Sequence, residues 1–177
     1  MDVAVLRSLA RWPNVPACFG WLVLDRQGHW RLQSEVVTHR GFADFIGRNY
    51  QHDTAGRWFF QNGAQRVYVE LAYTPWVFGF EENTPSQLIS HTGIAANPHT
   101  AWIDESGILL VDTDVGIGIV ASQDLVRLSD ALALDETLTH GTLSLGTHRL
   151  VVSPIKANEV AGRFGFDPSP RPETTSN

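Results

Sequence analysis

Arg66, Tyr68 and Glu70 alternate along one short stretch, Tyr73 and Trp76 follow closely, and Arg149 stands at the corresponding place of a second, similar stretch. A guanidinium beside a phenol and large aromatic faces can hold a small anion. Arginine meets a carboxylate or phosphate through two parallel N–H bonds, the phenol adds a donor, and the rings supply apolar contact. The same residues have a plainer reading, in which the rings pack two hairpins and Arg66 pairs with Glu70, two positions away on one strand face. Arg149 favours the plainer reading, because a binding role would have to be shared by both stretches. These six residues are the candidate ligand-binding set, and no catalytic residue is assigned.

Other patterns carry less. Gly116-Ile117-Gly118-Ile119-Val120-Ala121 has the G-x-G-x-x-A spacing that brings backbone amides to a pyrophosphate in dinucleotide folds. Asp112 and Asp114 would set negative charge against those phosphates, and too few residues follow to complete a parallel sheet. The glycines therefore read as a flexible strand-to-helix connection. The two acids fail as a calcium loop because Gln123 stands where the closing acid belongs, and they read as part of a solvated turn. Ser153-Pro154-Ile155-Lys156 fits S-x-x-K, but the S-D-N and K-T-G companions are absent from the sequence and the motif falls at a strand end. The seven histidines include no H-E-x-x-H pair. Cys18, the single cysteine, excludes an internal disulfide and a cysteine-rich zinc site, and beside Phe19 it reads as a small buried hydrophobe. No metal and no cofactor are expected.

The elements that must position these residues come in two copies. Leu24-Asp25-Arg26-Gln27-Gly28 is matched by Ile103-Asp104-Glu105-Ser106-Gly107, 79 positions on, and the segment from Gly63 to Val69 by that from Gly146 to Val152, 83 positions on. Phe42 and Phe45 match Leu125 and Leu128 at the second offset. In the first copy Val3, Leu6 and Leu9 mark a short helix capped by Asp2 and stopped at Trp12-Pro13. A hairpin then turns at Arg26-Gln27-Gly28, and a helix capped by Thr38 carries Phe42, Phe45, Ile46 and Tyr50 on one stripe. A second hairpin turns at Asn62-Gly63. Val67, Val69 and Leu71 should face the core, away from Arg66, Tyr68 and Glu70. Thr74-Pro75 breaks the ladder before an edge strand over 76–80. The second copy repeats this order, with a helix from Ser122 carrying Leu125, Leu128 and Leu132.

The expected fold class is α+β, a tandem duplication of a small, mainly antiparallel β unit with one packed helix each. The boundaries are 1–81 for the first unit with its N-terminal helix, 82–100 for a linker, 101–166 for the second unit and 167–177 for a disordered tail. Units of this size are marginal alone, so the two are expected to share an interface.

A formal charge of −6 with no cluster of Lys or Arg gives no field to attract phosphate backbones, which excludes nucleic acid as a partner. The first residues lack a basic start followed by a long apolar run, and no apolar stretch approaches the ~20 residues of a membrane span. No membrane association is expected, and the cysteine usage fits a cytoplasmic location.

The run Trp58-Phe59-Phe60-Gln61-Asn62-Gly63-Ala64-Gln65-Arg66-Val67-Tyr68-Val69-Glu70-Leu71, continuing through Tyr73-Thr74-Pro75-Trp76-Val77, resembles a family of uncharacterised, largely proteobacterial proteins, a domain of unknown function. Trp12-Pro13-Asn14-Val15-Pro16 and Gly20-Trp21-Leu22-Val23-Leu24-Asp25 are similar to the same family, so the resemblance covers most of the first unit. A related family of unknown function is similar in having two small, mainly antiparallel β units in tandem. The resemblance implies a fold and no activity. The expected function is a non-enzymatic cytoplasmic binding or assembly module that meets a protein partner or a second copy of itself through the polar and aromatic face of the first unit. The alternative is a small anionic ligand-binding protein or enzyme with its site in a crevice between the units, Arg66 and Arg149 contacting the anion.

Overall fold

A computed structural model describes residues 1–12, 15–81 and 84–172, and the chain divides into two units. The first comprises 1–25, 29–72 and the C-terminal segment from Gly165; the second comprises 26–28 and 73–164.

In the first unit, helix α1 (Val3–Arg11) precedes strands β1 (Cys18–Leu24), β2 (Trp30–Leu32) and β3 (Glu35–Val36). Helix α2 (Arg40–Arg48) follows, then β4 (Tyr50–His52), β5 (Trp58–Asn62) and β6 (Gln65–Leu71). They form one six-stranded sheet in the order β3-β2-β1-β6-β5-β4. Neighbours run antiparallel except β1 and β6, which are parallel. Parallel pairing requires a crossover, and β2, β3, α2, β4 and β5 together supply it. Asp25 closes the β1–β2 turn: its carboxylate accepts from the His29 N–H at 2.9 Å, and its own N–H donates to the His29 carbonyl at 3.0 Å. The core face buries Leu22, Leu24, Trp30, Ile46, Tyr50, Trp58 and Phe60.

The second unit begins with β7 (Trp76–Glu81), β8 (Thr84–Ser90) and β9 (Ala95–Ala96), followed by β10 (Pro98–Ile103), β11 (Leu109–Thr113) and β12 (Gly116–Val120). A 3₁₀ segment (Ser122–Leu128) leads to β13 (Leu132–Leu134), β14 (Gly141–Leu145), β15 (His148–Pro154) and helix α3 (Ala157–Phe164). The sheet order is β13-β14-β15-β10-β11-β12-β7-β8-β9. Its first six strands repeat the first unit's order, and the register repeats as well. Leu22↔Val69 and Leu24↔Leu71 across β1/β6 become Ala101↔Val152 and Ile103↔Pro154 across β10/β15, again parallel. Leu24↔Trp30 becomes Ile103↔Leu109, Phe60↔Val67 becomes Leu143↔Leu150, and Tyr50↔Phe60 becomes Leu132↔Leu143. The two second hairpins turn alike, with Gly63 and Gly146 both at φ +57°. The duplicated α+β fold is therefore present strand for strand.

Several local expectations are corrected. Strand β7 does not close the first unit at an edge; it lies inside the second sheet, parallel to β12 and antiparallel to β8. Residues 82–100 are no linker, because β8, β9 and the start of β10 occupy the described part; Glu82 and Asn83 lie outside the described residues. Their polar composition hid strands that join the sheet through backbone bonds and the buried side chains of Leu88 and Ala96. The helix from Ser122 is a 3₁₀ segment, and Tyr50 and Leu132 sit on the strands that follow the helical segments. His39 caps α2 in place of Thr38, its Nδ1 accepting from the Phe42 N–H at 3.1 Å. The Asp2 side chain makes no cap bond to α1 and reaches Arg48 at 3.3 Å instead. The turn expected at Asn62-Gly63 centres one residue later, on Gly63-Ala64, flanked by the Asn62↔Gln65 pair.

The tail is also packed as far as it is described. Asp167 bridges to Arg57, Pro168 O accepts from the Leu71 N–H at 2.9 Å, and Phe166 is buried. Residues 173–177 lie outside the described residues. Gly56, at φ +74°, makes this docking possible, since an added Cβ would collide with the Gly165 carbonyl. Gly56→Ala should therefore cost at least about 1 kcal/mol. A lower urea midpoint at unchanged slope is expected, and an unmoved midpoint would show that this docking does not support the fold.

Candidate functional site

The six sequence candidates divide between the units. Arg66 is exposed, with its guanidinium over the Phe59 ring at 4.7 Å, and Glu70 pairs with Arg171 at 3.4 Å. The expected Arg66–Glu70 pair is thus replaced on both sides, because the C-terminal segment brings a second arginine to Glu70. Tyr68 is buried rather than presented. Its ring stacks on Phe19 at 4.4 Å and its hydroxyl donates to Asp53 at 3.1 Å. Asp53 also accepts from the Arg57 side chain at 2.8 Å and from the Ala55 and Arg57 amides. Burial pushes this carboxyl up, but those bonds outweigh it, and Asp53 titrates below its ordinary value.

Tyr73, Trp76 and Arg149 belong to the second unit. The Trp76 indole is buried and donates to the Val115 carbonyl at 2.8 Å. Arg149 is exposed on β15 opposite Ser144, as Arg66 lies opposite Gln61. The Tyr73 hydroxyl donates to Asp104 at 2.8 Å, and burial followed by that bond raises the phenol well above its ordinary range. The G-x-G-x-x-A motif is not a flexible connection. Its glycines belong to β12, where a Cβ on Gly118 would meet the Phe78 ring and Trp76. Among the described residues, no three His, Cys, Asp or Glu side chains are grouped to hold a metal, and no helix is long and apolar enough to cross a membrane.

A chamber that the sequence reading did not single out lies in the second unit. Its volume is about 510 Å³, and Leu109, Leu125, Leu128, Leu132, Leu134 and Leu138 line it together with Ile103. This falls in the size range of small-molecule sites. Asp104 and Glu105 from the β10–β11 turn, Ser129, and Thr137 and Thr139 from the β13–β14 loop are its polar lining. Asp104 is held firmly, accepting from the Ser106 and Ile108 amides at 2.9 Å as well as from Tyr73. A second recess of about 340 Å³ shares Ile103, Asp104, Glu105 and Thr139 with the chamber and continues to Lys156 and Glu159.

Strand register places Leu109 at the position of Trp30 and Leu132 at that of Tyr50, and the 83-residue sequence offset matches Leu125 and Leu128 to Phe42 and Phe45. In the first unit these rings meet: Trp30 lies 5.0 Å from Tyr50, Phe45 5.4 Å from Phe60, and Phe42 6.4 Å from Phe60. One framework is thus filled by aromatic rings in the first unit and bounds a leucine-lined cavity in the second. The available sequence signal was the Phe-to-Leu change at the second offset, legible only as shared apolar character because a match of residues carries no volume.

A separate polar recess of about 240 Å³ contains His91. The imidazole Nδ1 accepts from the Val77 amide at 3.4 Å, and burial pushes the ring down to about 3, so it is neutral at pH 7.

The chain belongs to a family described as "Protein of unknown function (DUF2946)", whose model, DUF2944, matches residues 1–171. No curated protein matches it. Among solved structures, a DUF1285 family protein from Silicibacter pomeroyi DSS-3 is similar with a TM-score of 0.55 at 13% identity, over 82% of this chain and 86% of that one. A DUF1285 family protein from Shewanella baltica OS155 has a TM-score of 0.43 at 13% identity, over 62% of this chain and 91% of that one. The first of these likenesses extends to the fold and no further.

His91 gives a pH signature. Its folded value of about 3 lies below the ~6.5 of a free histidine, so between those values the unfolded chain binds a proton that the folded chain does not. Stability is complete above about pH 6.5 and declines as pH falls toward 3. The melting temperature should drop between pH 6.5 and 4.5, with a smaller drop in His91→Leu; equal slopes would refute the assignment.

Proposed function

We propose that the second unit is a receptor for a small, largely apolar molecule, held without chemical conversion in the leucine-lined chamber. The observation that supports it best is the comparison inside the chain itself. Two copies of one framework share strand order and register, yet four positions that carry rings in one carry leucines in the other, where a cleft of about 510 Å³ stands open. An apolar cleft left open to water forgoes the hydrophobic stabilisation that covering it with a ligand would supply. Retaining one beside a filled version of the same fold is consistent with a ligand-binding role. The reading keeps the expectation of a non-enzymatic binding module in the cytoplasm and moves its site from the Arg66–Trp76 region to the chamber.

Leu138 adds support. It stands at φ +56°, where a side chain is strained, and 66% of its surface is exposed beside the chamber. Its N–H donates to the Asp135 carbonyl as that of Gly56 donates to the Asp53 carbonyl, and Gly56 has φ +74°. The first unit thus uses glycine in this turn, whereas the second keeps a leucine at a cost of about 1–2 kcal/mol. An exposed apolar side chain held against its conformational preference is suited to closing over a ligand.

Two experiments test the reading with N-phenyl-1-naphthylamine, a neutral apolar fluorophore. Leu109→Trp/Leu125→Phe/Leu128→Phe/Leu132→Tyr restores the first unit's four ring residues as a filled variant and should weaken saturable fluorescence enhancement at least about tenfold while the melting temperature holds or rises. Leu138→Gly should weaken probe binding about tenfold, as expected for losing a buried leucine contact, without lowering the melting temperature of the free protein. Undiminished binding in the filled variant would overturn the proposal.

A further inference from the structure

The chamber's polar lining carries charge of one sign. Asp104 and Glu105 contribute carboxylates, Ser129, Thr137 and Thr139 contribute hydroxyls, and among the described residues no Lys, Arg or His lines it. Asp104 is only 6% exposed, and its oxygens are fixed by two amides and the Tyr73 hydroxyl, so its position is set before any ligand arrives. Glu105 is exposed, and its Oε2 accepts from the Ala157 amide at 2.9 Å, which orients the carboxylate at the start of α3. Basic groups stand outside this lining, His140 with its Nδ1 3.0 Å from the Thr139 hydroxyl. Lys156 belongs to the adjoining recess, where Glu159 accompanies it, and Arg26 lies over the Tyr73 ring at 5.1 Å.

An apolar body enclosed by leucines brings its polar end to the rim, where two carboxylates in a partly desolvated site repel an anion and attract a cation. We propose, resting on the chamber reading above, that the occupant is an amphiphilic organic cation, with its hydrocarbon portion among Leu109, Leu125, Leu128 and Leu132 and a protonated amine at Asp104 and Glu105. This reverses the sign of the ligand suggested by Arg66 and Arg149. Those arginines are exposed on β6 and β15, while the chamber draws its charged groups from the β10–β11 turn.

The test is calorimetric titration of the full chain with octylamine, octanol and octanoate below their aggregation concentrations, since these share a chain and differ in head charge. Octylamine should bind at least about tenfold tighter than octanol, with octanoate weakest. Glu105→Gln keeps an acceptor for the Ala157 amide while removing the charge, and should reduce the octylamine preference severalfold with octanol affinity unchanged. Equal affinities for octylamine and octanol, both weakened by Leu109→Trp/Leu125→Phe/Leu128→Phe/Leu132→Tyr, would overturn the cation inference and leave the chamber reading standing. Undiminished binding in that variant, or no binding of any of the three, would overturn both.

Discussion

The parallel pairing of β1 with β6, repeated as β10 with β15, is the constraint on which the remaining structure depends. Two parallel strands cannot be joined by a tight turn, so each unit must carry its intervening chain out and back before the last strand can align. That excursion contains a hairpin arm, a helical segment and the outer strand of the second hairpin. Closing the two ends fixes where all three pack. Asp25 and Asp104 stand at the same point of this circuit, and each ties its turn through its own carboxylate and amide.

Once the backbone is fixed twice in the same register, side-chain volume decides what each copy is for. Trp30, Phe42, Phe45 and Tyr50 complete a ring cluster in the first unit, a structural solution that uses the large area each ring buries. Leu109, Leu125, Leu128 and Leu132 keep the same face apolar without filling it. The β13–β14 loop is one residue longer than its counterpart: the stretch from Asp135 to Gly141 replaces that from Asp53 to Trp58. That loop brings Leu138, Thr137 and Thr139 to the chamber. Divergence between the copies is therefore concentrated around one cavity, while strand pairing is retained.

Buried polar groups show how the same framework holds its turns. Asp53 gathers Arg57, Tyr68 and two amides, and Asp104 gathers Tyr73 and two amides. Tyr68, read from sequence as a surface donor, proves to be an internal strut, and half-buried Tyr73 ties itself to Asp104. A phenol on the outward side of a strand is indistinguishable in sequence from one covered by neighbouring elements. For Tyr68 the cover comes from Phe19, Asp53 and Arg57, which no local periodicity places beside it.

The sequence by itself determined the duplication, both hairpin positions in each copy and the apolar identity of Phe42, Phe45, Leu125 and Leu128, because turn chemistry and hydrophobic spacing are local properties. A resemblance to a family of unknown function was also read there, and a family model of unknown function matches residues 1–171. Only the tertiary structure decided that β7, β8 and β9 extend the second sheet, since they follow the first unit in sequence yet add beyond β12. It also decided that the tail docks beside Gly56, that Glu70 meets Arg171, and that four leucines from separate elements surround a cavity. Each depends on residues distant in the chain meeting in space, and a void has no residue of its own to be read.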